Sequence, residues 1–328
     1  MLERVFLGPG GIRAGWRLLL FAVLTIILYI TIQALLAVSG FRWNLANGLS
    51  APMILVSESV TFLCPLFAAW IMGHVEHKQF SDYGLPAREA FGRRFWLGVG
   101  AGLVALSVLL AAIYLGGGFH GGSLALGARG VLYFGILWGV AFLAVGFSEE
   151  FLFRGYALAT LAEGLGFWPA AILLSLMFGA VHLSNLGENP TGAISAAMVG
   201  LLFCFSFRRT GNLWFAIGLH AAWDYGESFI YSVPDSGVLV RGHLLNSYFQ
   251  VGAPAWLTGG TVGPEGSVFI FVVLAALFVF VDRMYPEVKF PVRVAADGRD
   301  SPPHADAALQ ESETLPGREW NGTENRED

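Results

Sequence analysis

Residues 131–160 read VLYFGILWGVAFLAVGFSEEFLFRGYALAT. A helix needs about 20 apolar residues to cross bilayer hydrocarbon about 30 Å thick, and this run has them, broken only by Glu149, Glu150 and Arg154 as ionisable groups. A charge at the centre of a spanning helix costs about 2.5–3.5 kcal/mol on insertion scales. These three side chains must therefore face the interior of a helix bundle, with partners, and not lipid. One segment thus points to the fold class, an all-α polytopic membrane protein, and to where its chemistry sits.

Working outward, seven further runs of similar character are bounded by polar, Gly or Pro positions: 16–38, 51–73, 95–115, 167–186, 191–207, 212–231 and 266–284. The sequence predicts about eight transmembrane helices over residues 1–284. Composition agrees, since the 328 residues are 55% hydrophobic and 13% charged, with mean hydropathy +0.62, against about 25% charged in soluble domains. Lys and Arg gather on the cytoplasmic side of membrane proteins. An even number of spans starting inside puts fifteen of the nineteen basic residues in inner segments and only Arg42, Arg129 and Arg241 outside, with Arg154 within a span. Both termini of this multi-pass protein of the cell membrane are expected in the cytoplasm. Ala37-Val38-Ser39 has the look of a signal-peptide cleavage site, but the apolar stretch before it exceeds the 7–15 residues of such peptides, so it reads as a span.

The net charge of −5 lies entirely after residue 284, where ten acids face five bases. That stretch is too polar to offset chain entropy, and 285–328 is expected to be a disordered cytoplasmic tail in which the Asn321-Gly322-Thr323 sequon carries no weight. Residues 232–265, rich in Gly and Pro, form the longest outer loop, partly re-entrant. A nucleic-acid partner is excluded, because the basic residues are dispersed and make no phosphate-binding patch. Cys64 and Cys204 sit in apolar runs and read as small buried hydrophobes.

The ionisable residues within spans are Glu58, Glu149, Glu150, Arg154, His182, His220, Asp224 and Glu227. Glu58 stands alone and reads as a carboxyl hydrogen-bonded across helices. Glu150 and Arg154 are i and i+4 and can pair on one face, which leaves Glu149 pointing about 100° away and free to act, given 3.6 residues per turn. Phe178 and His182, and His220 and Asp224, repeat the i, i+4 spacing. A glutamate beside a histidine can polarise a water for attack on a carbonyl, and a second histidine with a hydrogen-bonding neighbour can stabilise the oxyanion. The same groups, Glu149, His182, His220 and Asp224, could instead hold a divalent metal such as zinc with an open position for water. Glu227, seven residues after His220, lies on the same stripe as an outer supporting group. By rise per residue, the three elements bring these groups to one depth only if the fourth span is centred near residue 150.

Glu149-Glu150-x-x-x-Arg154, Phe178-x-x-x-His182 and His220-x-x-x-Asp224, in that order on separate helices, resemble the CAAX protease and bacteriocin-processing family. This family is also called the Abi or type II CAAX prenyl endopeptidase family of intramembrane proteases. Phe153-Arg154-Gly155 and Thr210-Gly211-Asn212-Leu213-Trp214 strengthen the likeness, which covers about residues 95–231. The resemblance implies an eight-helix intramembrane endopeptidase acting on a membrane-associated protein or peptide. In it Glu149 activates water with His182, His220 and residue 224 stabilise the oxyanion, and Glu150 and Arg154 orient the site. Whether the chemistry runs through a metal (a metalloprotease) or through a glutamate-activated water alone stays open. The departure is Asp224, where Asn is commoner: an ionised carboxylate repels an oxyanion. The alternative functions are a partner-binding or immunity-type protein of the same fold, and a proton-coupled transporter using the polar cluster as a relay. The chain has no internal repeat of the transporter kind.

Overall fold

A computed structural model describes residues 5–8, 11–40 and 50–290. Arg4, Arg42 and everything from 291 on, including the sequon and most of the expected tail, lie outside the described residues. The fold is all-α, with helices α1 (Ala14–Val38), α2 (Ala51–Glu76), α3 (Arg93–Leu115), α4 (Ala128–Arg154), α5 (Tyr156–Leu165), α6 (Phe167–His182), α7 (Pro190–Thr210), α8 (Trp214–Asp224) and α9 (Phe269–Met284). The α8 helix runs on as a π-helical turn, Tyr225–Tyr231. Two short ribbons accompany them: β1 (Leu7–Gly8) with β2 (Gly11–Ile12), and β3 (Phe119–His120) with β4 (Tyr248–Phe249).

All eight expected apolar segments are helical. Among the described residues, five helical stretches, Ala14–Val38, Ala51–Glu76, Arg93–Leu115, Ala128–Leu165 and Pro190–Thr210, are long and apolar enough to cross a membrane. The other three expected spans form shorter helices, of 16, 11 plus 7, and 16 residues. The α1 helix buries only Phe21 and turns Ile26, Ile27, Ile30 and Leu35 outward, as a helix does whose solvent is lipid hydrocarbon.

The fourth span departs from the expected 131–160. The α4 helix stops at Arg154, and the backbone at Gly155 leaves helical geometry (φ −78°, ψ −116°). A Cβ there would press into the Phe151 carbonyl oxygen and ring, so glycine permits a sharp redirection that other residues would resist. The chain restarts as α5, with seven consecutive buried residues from Tyr156 to Ala162. Glu149 consequently sits near the C-terminal end of α4, close to the middle of the apolar Ala128–Leu165 stretch.

Helix α8 is buried on nearly every side, and glycines let its neighbours approach backbone to backbone. A Cβ on Gly98 or Gly102 of α3 would meet the carbonyl oxygens of Phe215 and Leu219, and one on Gly218 would meet that of Phe95. On α4, Gly146 lies against Ile217. Small residues at crossings supply close packing where lipid removes the hydrophobic drive to associate. Gly218→Val is therefore expected to lower stability by about 1–3 kcal/mol or more, as overpacked cores do, seen as a fall in thermal midpoint. Gly100→Ala, whose Cβ would meet nothing within 4 Å, is the control expected to leave it unchanged.

The α7 helix begins where the Asn189 side chain accepts the Thr191 and Gly192 amides, with Pro190 at the first helical position, and it ends on Gly211 at φ 71°. This is a sequence-legible cap at each end. In the turn that follows, Asn212 Oδ1 accepts the Trp214 amide at 3.2 Å and the Leu213 amide donates to Gly84 O at 2.8 Å, fixing the start of α8. At one end of the bundle Arg17, Glu76, Lys78 and Glu163 form an ion-pair network joining α1, α2 and α5.

The tail expected from residue 285 begins with a packed strap. The Lys289 and Phe290 amides donate to Arg208 O at 3.0 and 3.1 Å, and the buried Phe290 ring lies against Phe207 and Phe167. Phe290 carries the apolar surface that the acidic composition after it lacks. The expected outer loop, 232–265, folds inward: Gly263 and Gly237 press against Pro234 and Gly187, and Ser236 bonds Glu265.

Candidate active site

Glu149, His182, His220 and Asp224 line one cavity of about 210 Å³, together with Glu58, Phe178, Asp235 and Glu265. Three helices supply the expected residues. From α4, Glu149 and Glu150 diverge as their adjacency demands: the Glu149 side chain is 28% exposed and that of Glu150 is 0% exposed. Burying a carboxylate fully requires partners. Arg154, also 0% exposed, donates to Glu150 Oε1 at 3.1 Å, the i, i+4 pair the sequence predicts.

The same Glu150 oxygen accepts a second bond. His220 Nδ1–H donates to Glu150 Oε1 at 2.9 Å, which fixes the ring and directs Nε2 elsewhere, since an ionised carboxylate can only accept. His220 Nε2 lies 3.7 Å from Glu149 Oε2 and 3.6 Å from Asp224 Oδ2. Both distances exceed a direct hydrogen bond and leave Nε2 facing two carboxylates across the cavity. Phe203 stacks on the His220 ring with centroids 5.4 Å apart.

His182, the last residue of α6, donates Nδ1–H to Phe178 O at 2.8 Å; a carbonyl only accepts, so Nε2 is the nitrogen left for the cavity. Phe178 ties the motifs together. Its ring centroid lies 4.5 Å from His182, 6.4 Å from His220 and 4.2 Å from the Arg154 guanidinium carbon, a cation–π contact in a desolvated setting. Gly200 of α7 makes room for this guanidinium, because a Cβ there would stand 2.5 Å from Arg154 Nη2.

Glu58 is hydrogen-bonded across helices as expected, accepting a 2.6 Å bond from Ser148 Oγ, next to Glu149, and it also lines the cavity, which the sequence does not show. Asp235 and Glu265 enter it from the 232–265 segment, where no periodicity marks which polar residues turn inward. Glu227, on the expected stripe, is fully buried beyond Asp224 and lines no part of the cavity wall.

As the side chains stand, no three ligand atoms of Glu149, His182, His220 and Asp224 lie within 4.8 Å of one another. Among the described residues only Glu227, Asp235 and Glu265 meet that condition.

Residues 131–226 match the family model described as Type II CAAX prenyl endopeptidase Rce1-like. The stretch is similar to an Rce1-like domain. It contains Glu149, Glu150, Arg154, Phe178, His182, His220 and Asp224, and agrees with the CAAX protease and bacteriocin-processing family to which the three motifs point. No curated protein and no solved structure gives a match to the chain. This likeness to the CAAX-type intramembrane proteases agrees with the long apolar helices of an integral membrane protein.

Proposed function

We propose that this protein is an intramembrane endopeptidase that hydrolyses a peptide bond of a membrane-associated protein or peptide, with Glu149 as general base. The observation that carries the reading is Glu149 Oε2 standing 3.7 Å from His220 Nε2 on the wall of a cavity that His182 and Asp224 also line. The cavity that Glu149 lines with the two histidines, about 210 Å³, is large enough to hold a water. Glu149 takes one proton as the water oxygen attacks the scissile carbonyl carbon, while His182 Nε2 accepts a hydrogen bond from the water's other O–H and holds it in line. His220, held by Glu150, presents Nε2–H to the oxyanion, a role that requires both ring nitrogens to carry protons. Glu149 then returns its proton to the amide nitrogen as the C–N bond breaks, which frees the amine.

The test is proteolysis of a peptide library by the purified protein in liposomes, comparing wild type with Glu149→Ala. Cleavage that depends on Glu149 is expected. A library left intact by the folded wild-type protein, or cut equally by the variant, defeats the reading.

Asp224 separates the metal-free route from a metal-dependent one. Without a cation, a second carboxylate 3.6 Å from His220 Nε2 opposes the charge that develops in the transition state, so Asp224→Asn is expected to retain or gain turnover. Were Asp224 serving a bound metal, the same change would cost about 10- to 100-fold in metal affinity or activity. Turnover of both proteins, with and without chelator, reads the difference.

A further inference from the structure

Beside the cavity, three carboxylates from three chain segments converge: Glu227 on the π-helical turn after α8, Asp235 four residues beyond that turn, and Glu265 before α9. Each offers an oxygen, and these oxygens lie within 4.8 Å of one another. No Lys or Arg pairs with any of them among the described residues. Ser228 donates to Asp235 Oδ2 at 3.2 Å, and Ser236 donates from its amide and hydroxyl to Glu265 Oε2 at 3.1 and 2.7 Å. Glu227 is the exception. It is 0% exposed, and neither of its buried oxygens has a hydrogen-bond partner. Trp223 Nε1 lies beside it, outside hydrogen-bond geometry, and could meet at most one of the two oxygens.

A fully buried carboxylate with both oxygens unmet is costly, and packing two more against it compounds the cost. Crowding of this kind is relieved by a cation. An all-oxygen set suits a hard divalent ion and not zinc, which prefers nitrogen and sulfur. Ca–O distances of about 2.3–2.6 Å place ligands up to about 5 Å apart across the ion, which accommodates the observed spread. The cluster lies outside residues 131–226.

We infer that Glu227, Asp235 and Glu265 form a binding site for a hard divalent cation of the calcium class. This cation clamps the 232–265 segment onto the helix bundle at the edge of the cavity. Asp235, Ser236 and Glu265 all line that cavity, so the ion would fix one of its walls. The inference does not depend on the protease reading and is tested without an activity assay.

The full chain, purified in detergent with chelator and then freed of it, is titrated calorimetrically with Ca²⁺, Mg²⁺ and Zn²⁺, and its thermal midpoint is followed in parallel. One equivalent of Ca²⁺ is expected to bind, raise the midpoint and protect the 232–265 segment from added protease. Apparent Ca²⁺ affinity is expected to fall at least tenfold in Glu227→Gln and Glu265→Gln, and to be kept in Glu149→Gln. Glu265→Gln retains its bonds to Ser236 through the amide oxygen, so it reports even if the buried Glu227 variant folds poorly. A wild type that binds none of the three ions overturns the site. So does an undiminished Ca²⁺ response in Glu265→Gln, or a higher midpoint in the variants with no ion response in the wild type, which would mean that the cluster holds protons instead.

Discussion

Glu149→Gln is expected to lower turnover by about 10²- to 10⁴-fold, the range that a positioned general base contributes, while leaving the thermal midpoint unchanged or slightly higher. The two halves of that expectation have one cause. Glu149 Oε2 is buried yet accepts no hydrogen bond from the protein, in contrast to Glu150, whose Oε1 accepts from both Arg154 and His220. A buried acceptor left unmet costs stability, and an amide of the same shape removes the charge without removing a protein contact. The fold loses no hydrogen bond while the water loses its base. Glu150→Gln should behave differently, lowering the thermal midpoint and turnover together, because it weakens the Arg154 pair and the hold on His220 at once. Kinetics and melting on the two isosteric variants, side by side, check the assignment. If Glu149→Gln keeps turnover within a few-fold of wild type, Glu149 is not the base.

The difference between these neighbouring glutamates was partly legible in sequence. Helical geometry sets adjacent residues about 100° apart, and Arg154 four residues on from Glu150 selects which of the two is tied down. The same arithmetic placed Phe178 with His182 and His220 with Asp224. What it could not supply were contacts across the chain: the bond from His220 to Glu150 joins residues 70 positions apart, and that from Ser148 to Glu58 joins residues 90 apart. The break at Gly155 was not legible either, because the single glycine that makes it looks no different in sequence from Gly146 or Gly139 within α4. The tail boundary at 285 missed the strap through Phe290 because composition averages over a window and one aromatic anchor disappears in it. Asp235 and Glu265 were invisible for a related reason, since irregular segments carry no period from which to read an inward face.

Arg154→Ala is expected to cost roughly 3–5 kcal/mol, the usual penalty for removing one partner of a buried ion pair, and to appear first as lost expression and a lowered thermal midpoint. Both side chains of the pair are 0% exposed, so the Glu150 charge cannot turn to water for relief. The contact to the Phe178 ring at 4.2 Å is lost as well, and with it part of what holds the ring between His182 and His220. One feature moderates the loss: His220 Nδ1–H still reaches Glu150 Oε1, so the carboxylate retains one donor and the cost should fall short of that for a wholly isolated charge. Arg154→Lys should recover little, since an ammonium lacks the planar fork that spans Glu150 and the face of Phe178. The decisive comparison is the double variant Glu150→Gln/Arg154→Met, in which the buried charge disappears together with its partner. Breaking a buried pair costs far more than replacing it with neutral groups of similar volume, so the double variant is expected to melt above Arg154→Ala. If it melts no higher, the stability resides in the packing of the guanidinium against Phe178 and Phe203, and the ion pair contributes little.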